Sequence, residues 1–189
     1  MHCFSLLLLA LFGALGQLPA AAQTLFVTRS AQLAFFSSTP LENIDAKSSR
    51  AMSALDPKNH TVYFKVDNTS FEFPRKLMQE HFNDNYMESA KYPFSEFTGQ
   101  YTGAVDTEHD GSYPVLVTGK LKLHGVEKPY QVPGTITVSN HQLAVAASFT
   151  IALKDHHIDI PTLVVTKVAE QVQVTVKAVY ESKPLASKL

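Results

Sequence analysis

The chain of 189 residues holds a single cysteine, Cys3, and it lies in the N-terminal segment MHCFSLLLLALFGALGQLPAAAQ. That segment combines an apolar run from Phe4 to about Leu15 with a small-residue exit at Ala20-Ala21-Ala22, the pattern of a cleavable secretory signal. Cleavage after Ala22 would leave a chain with no thiol, which excludes disulfides, cysteine nucleophiles and thiolate metal sites. Cys3 precedes the apolar run, so it is not placed like the lipid-modified cysteine of a lipoprotein signal. Charge of one sign is also scarce. With 16 Lys and Arg against 17 Asp and Glu, scattered without runs, there is no electrostatic footprint for nucleic acid. No apolar run reaches the roughly 20 residues that a membrane span needs. Missing too are a Gly-x-Ser-x-Gly elbow, a His-Glu-x-x-His pair, a phosphate-cradling glycine loop and a dinucleotide fingerprint, so no catalytic residue, enzyme activity or cofactor is assigned.

What remains, at 45% hydrophobic residues, is enough for one real core. The expected organisation is a signal peptide over residues 1–22 and one domain over 23–189, since no repeat and no linker rich in Pro, Gly or Ser divides the rest. The dominant period is two. In VLVTGKLKLH, Val115, Val117, Leu121 and Leu123 share one face, and Leu116, Thr118, Lys120 and Lys122 share the other. The alternation recurs in HTVYFKV (Val62, Phe64, Val66), in QLAVAASFTIALKD (Leu143, Val145, Ala147, Phe149, Ile151, Leu153) and in EQVQVTVKAVYE (Val172, Val174, Val176). Turn signals at Asp56-Pro57-Lys58-Asn59, His109-Asp110-Gly111-Ser112, His124-Gly125 and Ser139-Asn140-His141 separate these runs, which predicts antiparallel pairing. Seven or eight such strands either sandwich or close, and closure removes exposed edges.

One segment departs from the period. In FPRKLMQEHFNDNY, Pro74 stands where a first helical turn tolerates it, and Leu77, Met78, His81 and Phe82 recur at helical spacing. This predicts a short helical insertion near residues 74–86, ended by Asn83-Asp84-Asn85. Glu80, Asp84 and Glu88 follow at four-residue spacing, which aligns carboxylates on a solvated helical face more readily than it makes an acid/base pair. Leu77, Met78, Phe82, Tyr86 and Met87 suit the closing of one end of a barrel.

Three stretches in this order, EHFNDNYMESAKYPFSEFTG, VTGKLKLHGVEKP and FTIALKDHHIDIP, resemble the YceI-like family of exported bacterial proteins. The family's AKYP falls on Ala90, Lys91, Tyr92 and Pro93, its TGxLxLxGVxKP strand on Thr118 to Pro129, and its LKD on Leu153, Lys154 and Asp155. The likeness spans about Ile44 to Tyr180. It departs in SAQLAFFSSTPLENIDAKSSRAMSALD, which has neither the histidine nor the glycine turn of better-known members. The resemblance implies an all-β fold, an eight-stranded antiparallel lipocalin-like barrel. Its apolar interior would hold an isoprenoid quinone or a fatty-acid-like amphiphile, in the periplasm or outside the cell.

Three chemistries compete for the remaining residues. His156-His157 with Asp155 and Asp159 is the best local metal cluster, with His81, Glu88 and His124 as distant recruits. Adjacent strand residues point to opposite faces, however, so no metal ligands are assigned. The apolar faces offer instead a ligand cavity lined by Val62, Phe64, Phe82, Tyr92, Phe97, Val117, Leu121, Val145, Ala147, Phe149, Ile151 and Val174. The alternative is a filled core that serves as a structural or protein-interaction module. Ala144, Ala146, Ala147 and Gly119 argue for room, and Phe64, Phe97 and Phe149 against it. The sequons at Asn59 and Asn68 are taken as incidental.

Overall fold

The computed structural model describes residues 24–140, 142–160 and 168–184; the expected signal peptide lies outside the described residues. The alternating stretches form eight strands: β1 (Thr24–Ser38), β2 (Asn43–Asp56), β3 (Thr61–Asp67), β4 (Phe94–Thr102), β5 (Gly111–Leu123), β6 (Val126–Ser139), β7 (Gln142–Ala152) and β8 (Gln171–Pro184). Each pairs antiparallel with its sequence neighbour. β1 closes the barrel on β8 through pairs such as Phe35 with Val174 and Leu33 with Val176. No ladder edge is therefore left open.

Up-and-down order sorts the connections between two ends. The short β2–β3 and β6–β7 turns, the β4–β5 loop, the start of β1 and the end of β8 lie at one end, here called the floor. The β1–β2 turn, the 26-position excursion from 68 to 93, the β5–β6 turn and the β7–β8 connection lie at the other, the mouth. β5 and β6 join through His124 and Gly125, both at positive φ (50° and 76°), the backbone of a two-residue hairpin turn whose twist matches the strands.

β1 and β2 are long strands without a clean alternating signal. Register shifts between Thr28 and Ala31, and again between Ala31 and Leu33, mark bulges that bend β1 around the barrel. The buried positions of β2 are mostly small: Ala46, Ser48, Ala51 and Ser53, ahead of Leu55. Two of them are covered from elsewhere in the fold, Ser48 by the Ser70 hydroxyl at 2.7 Å and Ser53 by the Tyr180 hydroxyl at 2.8 Å.

The helical insertion forms, with one correction. A single helix, α1 (Lys76–His81), begins after Arg75, with Pro74 just outside it. Asn83-Asp84-Asn85 do not end the helical path. Residues 82–86 widen into a π turn in which Met87 N–H donates to Phe82 O at 2.8 Å. Asn83 makes the local bonds that ordinarily break helices, but within the turn. Its amide donates to Gln79 O at 3.0 Å, and its side-chain oxygen accepts from the Ser89 hydroxyl at 2.7 Å. The three spaced carboxylates separate accordingly. Glu80 pairs with Lys76, Asp84 is exposed, and Glu88 leaves the helical path at a φ of 44°.

The excursion is fastened at its base by Asn68, which is buried. Its backbone N–H donates to Pro93 O at 2.9 Å, its side-chain amide to Tyr92 O at 2.6 Å, and its side-chain oxygen accepts from Ser95 at 2.7 Å. A paired backbone bridge between Lys47 and Glu72 ties the next stretch to β2. The second sequon therefore starts at a buried, committed asparagine.

A candidate ligand cavity

Inside the barrel lies a cavity of about 460 Å³. Its walls come from the predicted inward faces: Val62 and Phe64 of β3, Phe97 of β4, Val117 and Leu121 of β5, Val145, Ala147, Phe149 and Ile151 of β7, and Val174 of β8. Phe82 reaches it from the excursion above. These are all of the residues assigned from sequence except Tyr92. Tyr92 sits outside, edge-on to the His124 ring with centroids 4.6 Å apart. It covers Gly125 so closely that a Cβ there would lie 2.5 Å from Tyr92 Cε1. Its place in the fold is to clamp the β5–β6 turn.

Of the four small residues expected to leave room, Ala147 lines the cavity and Ala144, Ala146 and Gly119 do not. Gly119 and Gly99 face each other across β4 and β5, and the ring of Phe97 occupies the room they leave; a Cβ on Gly119 would stand 2.5 Å from Phe97 Cζ. Ala144 and Ala146 do not line the cavity, because the inward positions of β7 are the odd-numbered ones. The pairing of Gly134 with Ala147 leaves the wall thin, with 3.5 Å between an added Cβ on Gly134 and that of Ala147.

The mouth is roofed by aromatic rings. Phe82 stacks on Phe35 at 5.5 Å and 24°, and meets Phe71 at 5.6 Å and Phe73 at 5.0 Å in tilted contacts. Offset and edge contacts at these distances add about 0.5–1.5 kcal/mol per pair beyond burial. Leu77, Met78, His81, Tyr86 and Met87 extend the roof, and burial pushes the Tyr86 phenol up. Charges at the rim are paired: Arg75 with Glu42, and Lys65 with Glu96 at 2.9 Å. Lys65 holds the Glu96 carboxyl below its ordinary range, and Tyr63 bonds the same carboxylate at 3.2 Å.

The floor is denser. Leu55, Ile136 and Tyr101 meet the cavity from below, over Phe26, Val138, Leu143 and Tyr180. Tyr180 is fully buried; its hydroxyl lies 2.8 Å from Ser53 Oγ, and burial pushes its pKa up to about 12.

The two adjacent histidines point apart, but not by the strand alternation expected of them: His156 ends a 3-10 turn (Leu153–His156) that follows β7, and His157 caps it. His156 is fully buried and His157, in the left-handed region, is exposed. His156 Nδ1 lies 3.1 Å from Val126 O and its Nε2 2.9 Å from the Tyr130 hydroxyl. Burial pushes its pKa down. His124 bridges Glu88 (2.8 Å) and His156 O (3.1 Å). Of the three distant recruits weighed for a metal cluster, Glu88 and His124 meet as a hydrogen-bonded pair and His81 is at the cavity roof. Among the described residues no group of three or more His, Cys, Asp or Glu is placed to hold a metal ion. No described helix is long and apolar enough to cross a membrane.

Sequence reasoning missed Leu33, Phe35, Leu55, Phe71, Phe73 and Ile136, which also line the cavity. The signal for Phe71 and Phe73 was their alternation in FEFP; for Leu33 and Phe35 it was hidden by the bulges of β1.

The fold has counterparts of known structure. A polyisoprenoid-binding domain from Saccharophagus degradans, implicated in plant cell wall breakdown, superposes with a TM-score of 0.72 at 17% identity, over 86% of this chain and 99% of that one. Burkholderia cenocepacia BcnA gives 0.67 at 16% identity, over 79% and 95%. The Campylobacter jejuni YceI protein gives 0.54 at 16%, over 70% and 81%. No curated protein matches the chain. At these identities the structural likeness establishes a shared barrel. The model of the YceI-like domain matches residues 21–180, from ahead of β1 to near the end of β8, and this chain belongs to the YceI-like family.

Proposed function

We propose that this protein is a binding or carrier barrel that holds the chain of an isoprenoid or acyl amphiphile in its cavity, in the periplasm or outside the cell after removal of residues 1–22. The reading involves no covalent chemistry. The observation that carries it is the apolar space of about 460 Å³ beneath the Phe35-Phe71-Phe73-Phe82 roof. Small-molecule sites commonly span about 300–1,000 Å³ and are lined mainly by apolar side chains. That volume also weighs against a filled core. The printed description of the Saccharophagus counterpart as polyisoprenoid-binding, and the family match, support the same class of ligand.

The physics needs little else. Each methylene moved from water to these walls is worth about 0.8 kcal/mol, so a chain of modest length overcomes the entropy of association without a polar contact. Entry has to part the roof, whose rings belong to the excursion and the end of β1 rather than to the strands beneath. The excursion is anchored at Asn68, at the Lys47–Glu72 bridge and at the Glu88–His124 pair, so the part that has to move lies between Glu72 and Glu88, where the Arg75–Glu42 pair is the charged contact to break.

Delipidated protein titrated with a polyprenyl alcohol and followed by native mass spectrometry tests the reading. Wild-type protein is expected to saturate at one chain per barrel, and Ala147→Phe, which plants a ring on the thin wall, to bind none. Failure of wild-type protein to bind, or undiminished binding by the variant, would remove the cavity as the site.

A further inference from the structure

The floor holds two buried tyrosines with opposite fates. Tyr180 has a built partner: Ser53 Oγ lies 2.8 Å from its hydroxyl and in turn donates to Tyr63 O at 2.8 Å. Tyr101 has none among the described residues. It is 2% exposed, it lines the cavity, and its hydroxyl is a buried polar group for which those residues offer no hydrogen-bond partner. One face of its ring is covered by His60, stacked at 5.0 Å and 18°. Its backbone is held too, with Tyr101 N–H donating to His60 O at 2.9 Å. The ring is thus fixed as a plate at the bottom of an apolar chamber. Burying a hydroxyl unpaired is costly, and native proteins rarely leave one so without a reason.

We propose that Tyr101 donates a hydrogen bond to an uncharged, oxygen-bearing end of the ligand, which enters first and lies on the floor, with the apolar tail running up beneath the roof. This rests on the cavity being a ligand site and adds to it a direction and a head-group class. The class is a carbonyl or comparable neutral acceptor, as in a ketone, quinone, ester or amide. Two observations narrow it. The phenol is a donor throughout the ordinary pH range, because burial pushes its pKa up and the nearby Asp56 carboxylate adds to this. A carboxylate or phosphate at the floor would be desolvated against apolar walls, and the lysine and arginine that line the cavity, Lys65 and Arg75, are at the mouth and already paired. The lining that shares this end of the cavity with Tyr101 includes Leu55, Val62, Val115 and Ile136, which offer no competing donor from their side chains.

The test uses farnesylacetone, a neutral isoprenoid ketone, with farnesene and farnesoic acid as hydrocarbon and anionic counterparts, against wild-type protein and Tyr101→Phe. Wild-type protein should bind the ketone about two- to tenfold tighter than the variant does, the net worth of one hydrogen bond. Farnesene should bind both equally, and farnesoic acid should bind wild-type protein more weakly than the ketone at neutral pH. The carbonyl stretch of carbon-13-labelled ketone should fall to lower frequency in wild-type protein than in the variant. Equal ketone affinities with a free-carbonyl frequency in wild-type protein would overturn the proposal, as a head group held at the mouth would produce. The infrared reading on wild-type protein decides this even if the variant fails to fold. If wild-type protein binds none of the three probes, the cavity reading itself fails and the assignment of Tyr101 with it.

Discussion

The two ends of this barrel are built from the same strands yet closed by different means. At the floor, Leu143, Ile136, Val138 and Tyr180 fill the space between short turns, and nearly all are fully buried. At the mouth, closure falls to a 68–93 excursion whose rings, Phe71 apart, are half-buried, whose Leu77 is 60% exposed, and whose hold on the barrel runs through Asn68, the Lys47–Glu72 bridge and the Glu88–His124 pair. Filling by side chains makes an end that cannot open without unfolding. Fastening by a few hydrogen bonds makes one that can. A protein with both has one permanent wall and one removable one, the arrangement that a container requires.

The sharpest contrast should come from deleting bulk at each end. Leu143→Ala at the floor is expected to cost about 2–5 kcal/mol in urea unfolding, with little change in the rate at which ligand leaves. Gly119→Ala comes next, at about 1–3 kcal/mol, because the added methyl collides with Phe97 Cζ and Thr98 O at 2.5 Å, and β4 and β5 must part to admit it. Phe82→Ala at the mouth should cost less stability, about 1–2 kcal/mol from three ring contacts and partial burial, while speeding probe dissociation severalfold in a stopped-flow chase. If Phe82→Ala and Leu143→Ala change stability and release in the same proportion, the ends do not differ as described.

The smallest effect expected is a pH dependence at the mouth. His156 is buried with its native pKa below the ordinary 6.5, chiefly by desolvation. An imidazole depressed in the folded state contributes stability that is fully present above the unfolded value and is lost as pH falls through the lowered native one. Melting temperature should therefore be flat from pH 8 to about pH 6.5 and decline below it, and His156→Gln should weaken that decline. A decline of equal slope in the variant would assign the effect to other groups.

How far these features were legible in the sequence follows from how each is encoded. β3, β5, β7 and β8 carry large aliphatics every second residue, so their inward faces were readable, and the cavity wall followed from them. β1 and β2 were not, because bulges break the register of one and the other buries Ala and Ser where a pattern of bulk is sought. Closure into eight strands came from the resemblance, since alternation alone permits a sandwich. The helical excursion was visible, but its π turn was not: Asn83 advertises helix termination, and only the position of Ser89 makes its side chain a fastener. Tyr92 was misplaced because an aromatic beside Pro93 looks like a barrel-closing residue. Its partner, the turn glycine Gly125, is distant in sequence. Tyr101 carried no signal at all, as a tyrosine without a partner can be recognised only once every neighbour is in place.

The container reading is tested most directly by native mass spectrometry of protein purified from its own cells without detergent, followed by organic extraction. The expected spectrum shows the polypeptide beginning near Gln23 together with one noncovalent apolar molecule per barrel, recovered in the extract and absent after it. A spectrum of the polypeptide alone, with nothing apolar in the extract and no uptake of added prenyl or acyl chains, would contradict it.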